Sequence, residues 1–82
     1  MHDNFGPVLR KHRADAGLSV RSLARTIGVS ATYLSKVERG LCKPLTEDRI
    51  KHVSRVLDLD PLEMCRIGGR IPSEVREIFF TP

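Results

Sequence analysis

The sequence lacks the features that mark membrane-spanning, secreted and metal-binding proteins. No run of about 18 apolar residues occurs, and no apolar stretch near Met1 follows basic residues, so neither a membrane span nor a signal peptide is indicated. The 2 cysteines, Cys42 and Cys65, form no CxxC pair, and the 3 histidines are not spaced with them as metal ligands. We therefore expect a cytoplasmic protein without a metal site, with Cys65 packed, Cys42 near a loop and both thiols reduced.

Motifs of enzymatic chemistry are also missing. The sequence has no Gly-rich phosphate loop and no Cys/His or Ser/His arrangement placed by a motif. His12 and His52 stand singly in helical patterns and are interpreted as surface or edge residues. The sequence thus predicts a protein that is not an enzyme, with no cofactor and no evident small-molecule substrate.

Positive charge is concentrated in the first half of the chain. The 82 residues carry a net charge of +4. Residues 1–43 contain 8 Lys and Arg against 3 Asp and Glu, a net charge of +5, whereas residues 44–82 have a net charge of −1. This distribution is typical of a domain whose first half faces phosphates. Charge alone favours the alternative, a solvated face that binds no partner.

The segment Ser19–Gly40 has the pattern of two short helices joined by a tight turn. Ser19 can cap the first helix, Gly28 can end it, and Ser30 can cap a second helix that runs to Gly40. The first helix has an apolar face at positions i, i+3, i+4 and i+7, which are Val20, Leu23, Ala24 and Ile27. Helix, Gly-containing turn and helix together indicate a helix-turn-helix.

The second helix of this motif, residues 30–39, has two distinct faces at 100° per residue. The apolar face is formed by Ala31, Leu34, Val37 and Leu41, with Glu38 at its edge. The opposite face is formed by Thr32, Ser35, Lys36 and Arg39, with Tyr33 on the flank. This outer face carries hydroxyls and cations and no carboxylate, and the helix is short enough for a major groove about 12 Å wide.

Helical patterns flank the motif on both sides. A first helix is expected from Phe5 to Gly17, with the stripe Phe5, Val8, Leu9, His12 and Ala16. Thr46 can cap a fourth helix that ends at Asp58-Leu59, with the stripe Ile50, Val53 and Leu57. A fifth helix begins with Asp60 at the cap, Pro61 at the first position and Glu63 completing a capping box. Its inward residues are expected to be Leu62 and Cys65, with Met64 or Ile67.

The last residues form a separate apolar segment. Gly68-Gly69 interrupts the chain, so we divide it into a domain at residues 1–68 and an extension at 69–82. Ser73 can cap a short additional helix there, whose apolar side comprises Val75, Ile78 and Phe79, followed by Phe80. Such a short helix is not stable alone. It either completes the core of the monomer or packs on a second subunit, and we favour the dimer.

The run GLSVRSLARTIGVSATYLSKVERG resembles the helix-turn-helix of the phage Cro/C1 repressor superfamily, the XRE family. The matching features are the Gly-Leu-Ser entry, Leu23-Ala24, the Gly28-Val29-Ser30 turn and the closing Val37-Glu38-Arg39-Gly40. Phe5-Gly6, Leu9-Arg10 and Arg13 match the first helix of this family, and residues 46–59 match its fourth. The resemblance covers about residues 5–67 and implies an all-α, five-helix Cro/C1 repressor-like bundle.

The resemblance also implies roles for individual residues. The base contacts fall to Ala31, Thr32 and Lys36, assisted by Ser35, and the backbone contacts to Ser19, Arg21, Tyr33, Arg39 and Lys43. Arg13 is expected to form a structural ion pair with Glu38, two exposed charges being the alternative. This family usually has Gln where this chain has Val20, so we expect that backbone contact to be lost and Ser19 or Arg21 to replace it.

At the level of function, the resemblance implies a sequence-specific regulator of transcription that acts in the cytoplasm on the nucleoid. Because one recognition helix reads only a few base pairs, we expect a homodimer on a pseudo-palindromic double-stranded operator, acting as a repressor or autoregulator. The alternative is an antitoxin-like or adaptor module of the same fold, whose main partner is another protein. The apolar residues at 75–80 favour that alternative.

Overall fold

A computed structural model describes residues 4–69, which form five α-helices and no strand. The helices are α1 Phe5–Asp15, α2 Val20–Ile27, α3 Ala31–Glu38, α4 Glu47–Val56 and α5 Pro61–Ile67. The expected all-α, five-helix bundle is therefore confirmed. The expected short helix in the extension, with Val75, Ile78, Phe79 and Phe80, lies outside the described residues.

Helices α2 to α5 begin at the caps that the sequence predicts. The hydroxyls of Ser19 and Ser30 each accept a hydrogen bond at 3.0 Å from the backbone amide three residues later. The hydroxyl of Thr46 does the same at 3.4 Å. The carboxylate of Asp60 accepts from the amide of Leu62 at 3.0 Å. Each cap satisfies one of the amides that a helix start leaves without a partner inside the helix.

The end of α3 differs from the expectation. The helix ends at Glu38 rather than at Gly40, because Gly40 adopts a left-handed conformation with φ of 76°. The amide of Leu41 then donates to the carbonyl of Lys36 at 2.9 Å, which closes the helix end. Leu41, predicted to continue the apolar face of α3, is 65% exposed instead. The chain has turned before it reaches Leu41, so the helical periodicity no longer applies there.

One continuous core holds the helices together. α1 and α2 pack on α3, α2 also contacts α4, and α4 packs on α5. The buried apolar residues are Phe5, Leu9, Leu23, Ala24, Ile27, Leu34, Val37, Leu45, Ile50, Val53, Met64 and Cys65. Leu45, which follows Pro44 in the loop before α4, has no exposed surface and carries no periodic signal in the sequence.

Three further expectations were wrong in detail. Ala16 is exposed because α1 ends at Asp15, so the predicted stripe stops one turn earlier. Leu62 is 47% exposed, since the buried side of α5 contains Met64 and Cys65 and Leu62 lies about 100° from its centre. The capping box is only half formed, because the carboxylate of Glu63 binds Arg66 instead of turning back to the helix start.

Within the described residues, neither cysteine forms a disulfide. Cys65 is buried and Cys42 is half-buried in the loop after α3, as the sequence predicts. Within residues 4–69, no group of His, Cys, Asp and Glu side chains is arranged to hold a metal ion. None of the described helices has the length and apolar character needed to cross a membrane.

Candidate nucleic-acid interface

The two faces of α3 are separated as the pattern predicts up to the end of the helix. Leu34 and Val37 are buried against the core, at 0% and 2% exposure. Thr32, Lys36 and Arg39 are exposed on the other side. Ala31 and Ser35 are half-buried, and Tyr33 is 36% exposed at the flank. The buried side thus fixes the helix so that a cationic side faces the solvent.

A shallow depression brings the outer face of α3 together with the start of α2. We call it the α2–α3 depression, and its lining residues are Ser19, Val20, Arg21, Ala31, Thr32, Ser35 and Arg39. Six of these seven were predicted from the sequence to contact DNA, three as base-contacting and three as backbone-contacting residues. They come from two segments that are separated along the chain. The turn at Gly28, with φ of 80°, allows α2 and α3 to pack in this way.

The chemistry of the α2–α3 depression suits an anion with hydrogen-bonding edges. The lining side chains supply two guanidinium groups, Arg21 and Arg39, and three hydroxyl groups, from Ser19, Thr32 and Ser35, with no carboxylate among them. The Ser19 hydroxyl also caps α2 and donates to the hydroxyl of Ser22 at 3.0 Å. Val20 is half-buried, and its side chain offers no hydrogen-bonding group. Arg21 is therefore the cation that α2 contributes to the lining of the α2–α3 depression.

The remaining predicted contact residues lie around this depression. Lys36 and Tyr33 are on α3 but do not line it. Lys43 lines a second depression, formed by the loop after α3 and the start of α1. Arg39 lines both depressions. The predicted backbone-contacting residues therefore extend from the start of α2, across Arg39, to the loop after α3.

An ion pair fixes α3 against α1. Arg13 Nε donates to Glu38 Oε2 at 2.7 Å, and Arg13 Nη2 donates to Glu38 Oε1 at 3.0 Å. Arg13 Nη1 also donates to the carbonyl of Leu18 at 2.7 Å, in the loop between α1 and α2. The side chains of Arg13 and Glu38 are 13% and 4% exposed. One guanidinium therefore joins α1, the end of α3 and the connection to α2.

Gly6 allows α1 to approach the end of α3 closely. A Cβ atom at this position would lie 2.5 Å from the carbonyl oxygens of both Val37 and Glu38. Real Cβ atoms do not approach backbone oxygens so closely, so a side chain at residue 6 would force the two helices apart. Gly6 and the Arg13–Glu38 pair together determine where α3 ends relative to α1.

Sequence reasoning missed one cation beside the interface. Arg10, exposed on α1, lines a third depression, here called the α1 depression, together with Arg13, Val20, Ser35, Glu38 and Arg39. The spacing of Arg10 and Arg13 by three residues indicates that they share one side of a helix. The sequence indicates that this side of α1 faces α3 only because Arg13 is expected to contact Glu38.

Comparisons with known proteins agree with this architecture. Residues 4–66 match the family model described as a helix-turn-helix domain. The chain belongs to the XRE family of helix-turn-helix transcriptional regulators. It is 38% identical over 74 residues to an uncharacterized HTH-type transcriptional regulator of Mycobacterium tuberculosis, covering 89% of this chain and 52% of the relative. The chain thus spans about half the length of this curated relative.

Two further similarities concern the regulator SinR. The chain is 32% identical over 76 residues to the HTH-type transcriptional regulator SinR of Bacillus subtilis, covering 85% of this chain and 68% of SinR. It is also similar to a chain in a solved structure described as the SinR protein/SinI protein complex. That match has a TM-score of 0.67 at 28% identity and covers 94% of this chain and 80% of the other. The family membership thus rests on both sequence and fold.

Proposed function

We propose that this protein binds double-stranded DNA sequence-specifically by inserting the outer face of α3 into the major groove. The α2–α3 depression is the observation that carries this proposal, because it joins cations and hydroxyl groups from two helices without a carboxylate. An α-helix fits the major groove, where base edges present distinct patterns of donors and acceptors. Family membership supports the same function.

Membership of the XRE family suggests how base and backbone contacts are divided. We assign base contacts to Ala31, Thr32, Ser35 and Lys36, and backbone contacts to Ser19, Arg21, Tyr33, Arg39 and Lys43. Ala31 can contact a thymine methyl group, Thr32 a methyl or an acceptor, and Lys36 the O6/N7 edge of guanine. The backbone residues lie at the start of α2, on α3, at its C-terminal end and in the loop after it, and they would fix the register of α3 on the duplex.

We further propose that the protein acts as a homodimer on a pseudo-palindromic operator in the nucleoid, as a repressor or autoregulator that occupies a promoter. α3 has 8 residues and reads only a few base pairs. Two copies with half-sites about 34 Å apart would supply the missing specificity. The proposed role is binding, without catalysis.

Selection from random duplexes with the purified full chain tests the proposal. We expect one enriched sequence with two inverted half-sites one helical turn apart, because each α3 would read one half-site. The Thr32→Ala/Lys36→Ala double variant is the matched test of α3, since both side chains are exposed and their removal leaves the core intact. It should lose the enrichment while keeping the thermal stability of the wild type. Equal enrichment by both proteins would exclude α3 as the reading element.

A protein-binding role is the second candidate. The similarity to a chain solved in the SinR protein/SinI protein complex supports it, as do the exposed apolar side chains of Leu41 and Leu62.

The position of the proposed dimer contact can be tested separately. In the full chain, Phe79→Ser/Phe80→Ser should shift sedimentation toward the monomer if the extension forms the dimer contact. Leu41→Ser is the control, since it removes an exposed apolar group elsewhere. If only Leu41→Ser lowers the sedimenting mass, the dimer contact lies at the loop after α3.

A further inference from the structure

Arg10 is not among the residues predicted to contact DNA, yet it borders the same surface. The α1 depression that it lines has Val20, Ser35 and Arg39 in common with the α2–α3 depression. The two depressions are therefore neighbours that share part of their walls. Arg10 therefore lies on α1 at the edge of the candidate interface, one helical turn before Arg13.

The charges in the α1 depression leave Arg10 available for a ligand. Arg13 and Glu38 neutralise each other, since both carboxylate oxygens of Glu38 accept from the guanidinium of Arg13. Arg39 Nε is 3.4 Å from the carbonyl oxygen of Ser35, a long hydrogen bond at an exposed site. The side chain of Arg10 is exposed, and within residues 4–69 it has neither a hydrogen bond nor an ion pair. The net positive charge of this depression therefore comes from Arg10 and Arg39.

We propose that Arg10 binds a phosphate of the DNA backbone at the α1 edge of the interface. The contact would extend from the helix-turn-helix onto α1, with the phosphate held between Arg10 and Arg39. A guanidinium group suits this role because it can donate two parallel hydrogen bonds to phosphate oxygens. The side chain of Val20, which lines both depressions, has no donor, and Arg10 and Arg39 are the two unpaired cations that line the α1 depression with it. This inference rests on the proposed function.

The salt dependence of DNA binding tests the inference. For the full chain, Arg10→Gln should lower the slope of log K against log salt concentration by about one, because one phosphate contact is lost. The affinity for the selected operator and for a random duplex should fall by the same factor. Lys11→Gln is the matched control, since it removes one exposed positive charge from the neighbouring position of α1. It should keep the wild-type slope.

Two outcomes would overturn the inference. If Arg10→Gln keeps the wild-type slope, Arg10 contacts no phosphate. If Lys11→Gln lowers the slope as much as Arg10→Gln, the effect comes from net charge and not from a contact at the α1 depression. A failure of the proposed function would look different from both outcomes, because the wild type would then prefer no sequence. The salt slopes of the wild type and Arg10→Gln on a random duplex could still be compared in that case.

Discussion

Arg13 and Glu38 form a two-pronged ion pair, with N–O distances of 2.7 and 3.0 Å, between residues 25 positions apart in the chain. Glu38 is the last residue of α3, and Arg13 lies near the end of α1. The same guanidinium binds the carbonyl of Leu18. The pair therefore holds the end of α3 against α1 and the loop before α2, and it is not part of the outer face of α3.

Loss of this pair should destabilise the fold. We expect Glu38→Gln to lower the free energy of unfolding by about 3 kcal/mol, near the lower end for a broken buried pair, because Arg13 would be left without its charged partner. Chemical denaturation of the full chain measures the change. Glu63→Gln is the control, since Glu63 forms its ion pair with Arg66 on the exposed side of α5. If both variants lost the same free energy of unfolding, burial of the Arg13–Glu38 pair would add nothing to the stability of the fold.

Substitution of Gly6 should separate α1 from α3. We expect Gly6→Ala to destabilise the fold by about 1–3 kcal/mol, as overpacking does, since its Cβ would lie 2.5 Å from two backbone oxygens. Gly68→Ala is the matched control. Its Cβ would meet the ends of the Ile50 and Phe5 side chains at 3.0 and 3.2 Å, and side chains can move where backbone cannot. A larger thermal shift for Gly68→Ala than for Gly6→Ala would contradict this view.

Lys36 and Arg21 should differ in how they affect DNA binding. Lys36→Ala should cost about 1–3 kcal/mol on the preferred site and relax the preference at one position, because a base contact is lost. Arg21→Ala should weaken binding to specific and random duplexes equally, as a backbone contact does. Fluorescence anisotropy at fixed salt concentration measures the dissociation constant for each duplex, and the ratio of the two constants gives the sequence preference. If Lys36→Ala leaves that ratio unchanged, Lys36 binds phosphate only.

The pKa of Glu63 should depend on Arg66. It lies below the ordinary value of 4.5, mainly because the Arg66 guanidinium donates a hydrogen bond to the carboxylate. Since the folded-state pKa is lower than the unfolded one, the contact stabilises the fold above the unfolded pKa and is lost as pH falls through the folded pKa. Arg66→Gln should therefore raise the pKa of Glu63, measured by NMR titration of its carboxyl carbon. An unchanged pKa would show that the contact does not persist in solution.

Local signals in the sequence were sufficient for the helices and for the outer face of α3. Ser19, Ser30 and Thr46 identify helix starts because a capping hydroxyl acts within three residues of its own position. The hydroxyls and cations of α3 could be assigned to one face for the same reason, since α3 keeps its periodicity as far as Glu38.

The features that sequence reasoning missed depend on how the helices pack. Leu41 is exposed because the chain reverses at Gly40, and no periodicity can be extended through such a turn. Leu45 is buried by its surroundings, without a helical pattern of its own. The spacing of Arg10 and Arg13 places them on one side of α1, but the position of Arg10 beside the interface depends on how α1 packs against α3.

The central claim is that the outer face of α3 enters the major groove, and NMR of the labelled protein on its selected operator tests this most directly. We expect intermolecular NOEs from the Thr32 methyl group and the Lys36 methylene groups to major-groove protons of the bases, such as thymine methyl groups. The buried Leu34 methyl groups should show none. NOEs confined to sugar protons, or shifts at Leu62 with none at Thr32 and Lys36, would contradict the claim.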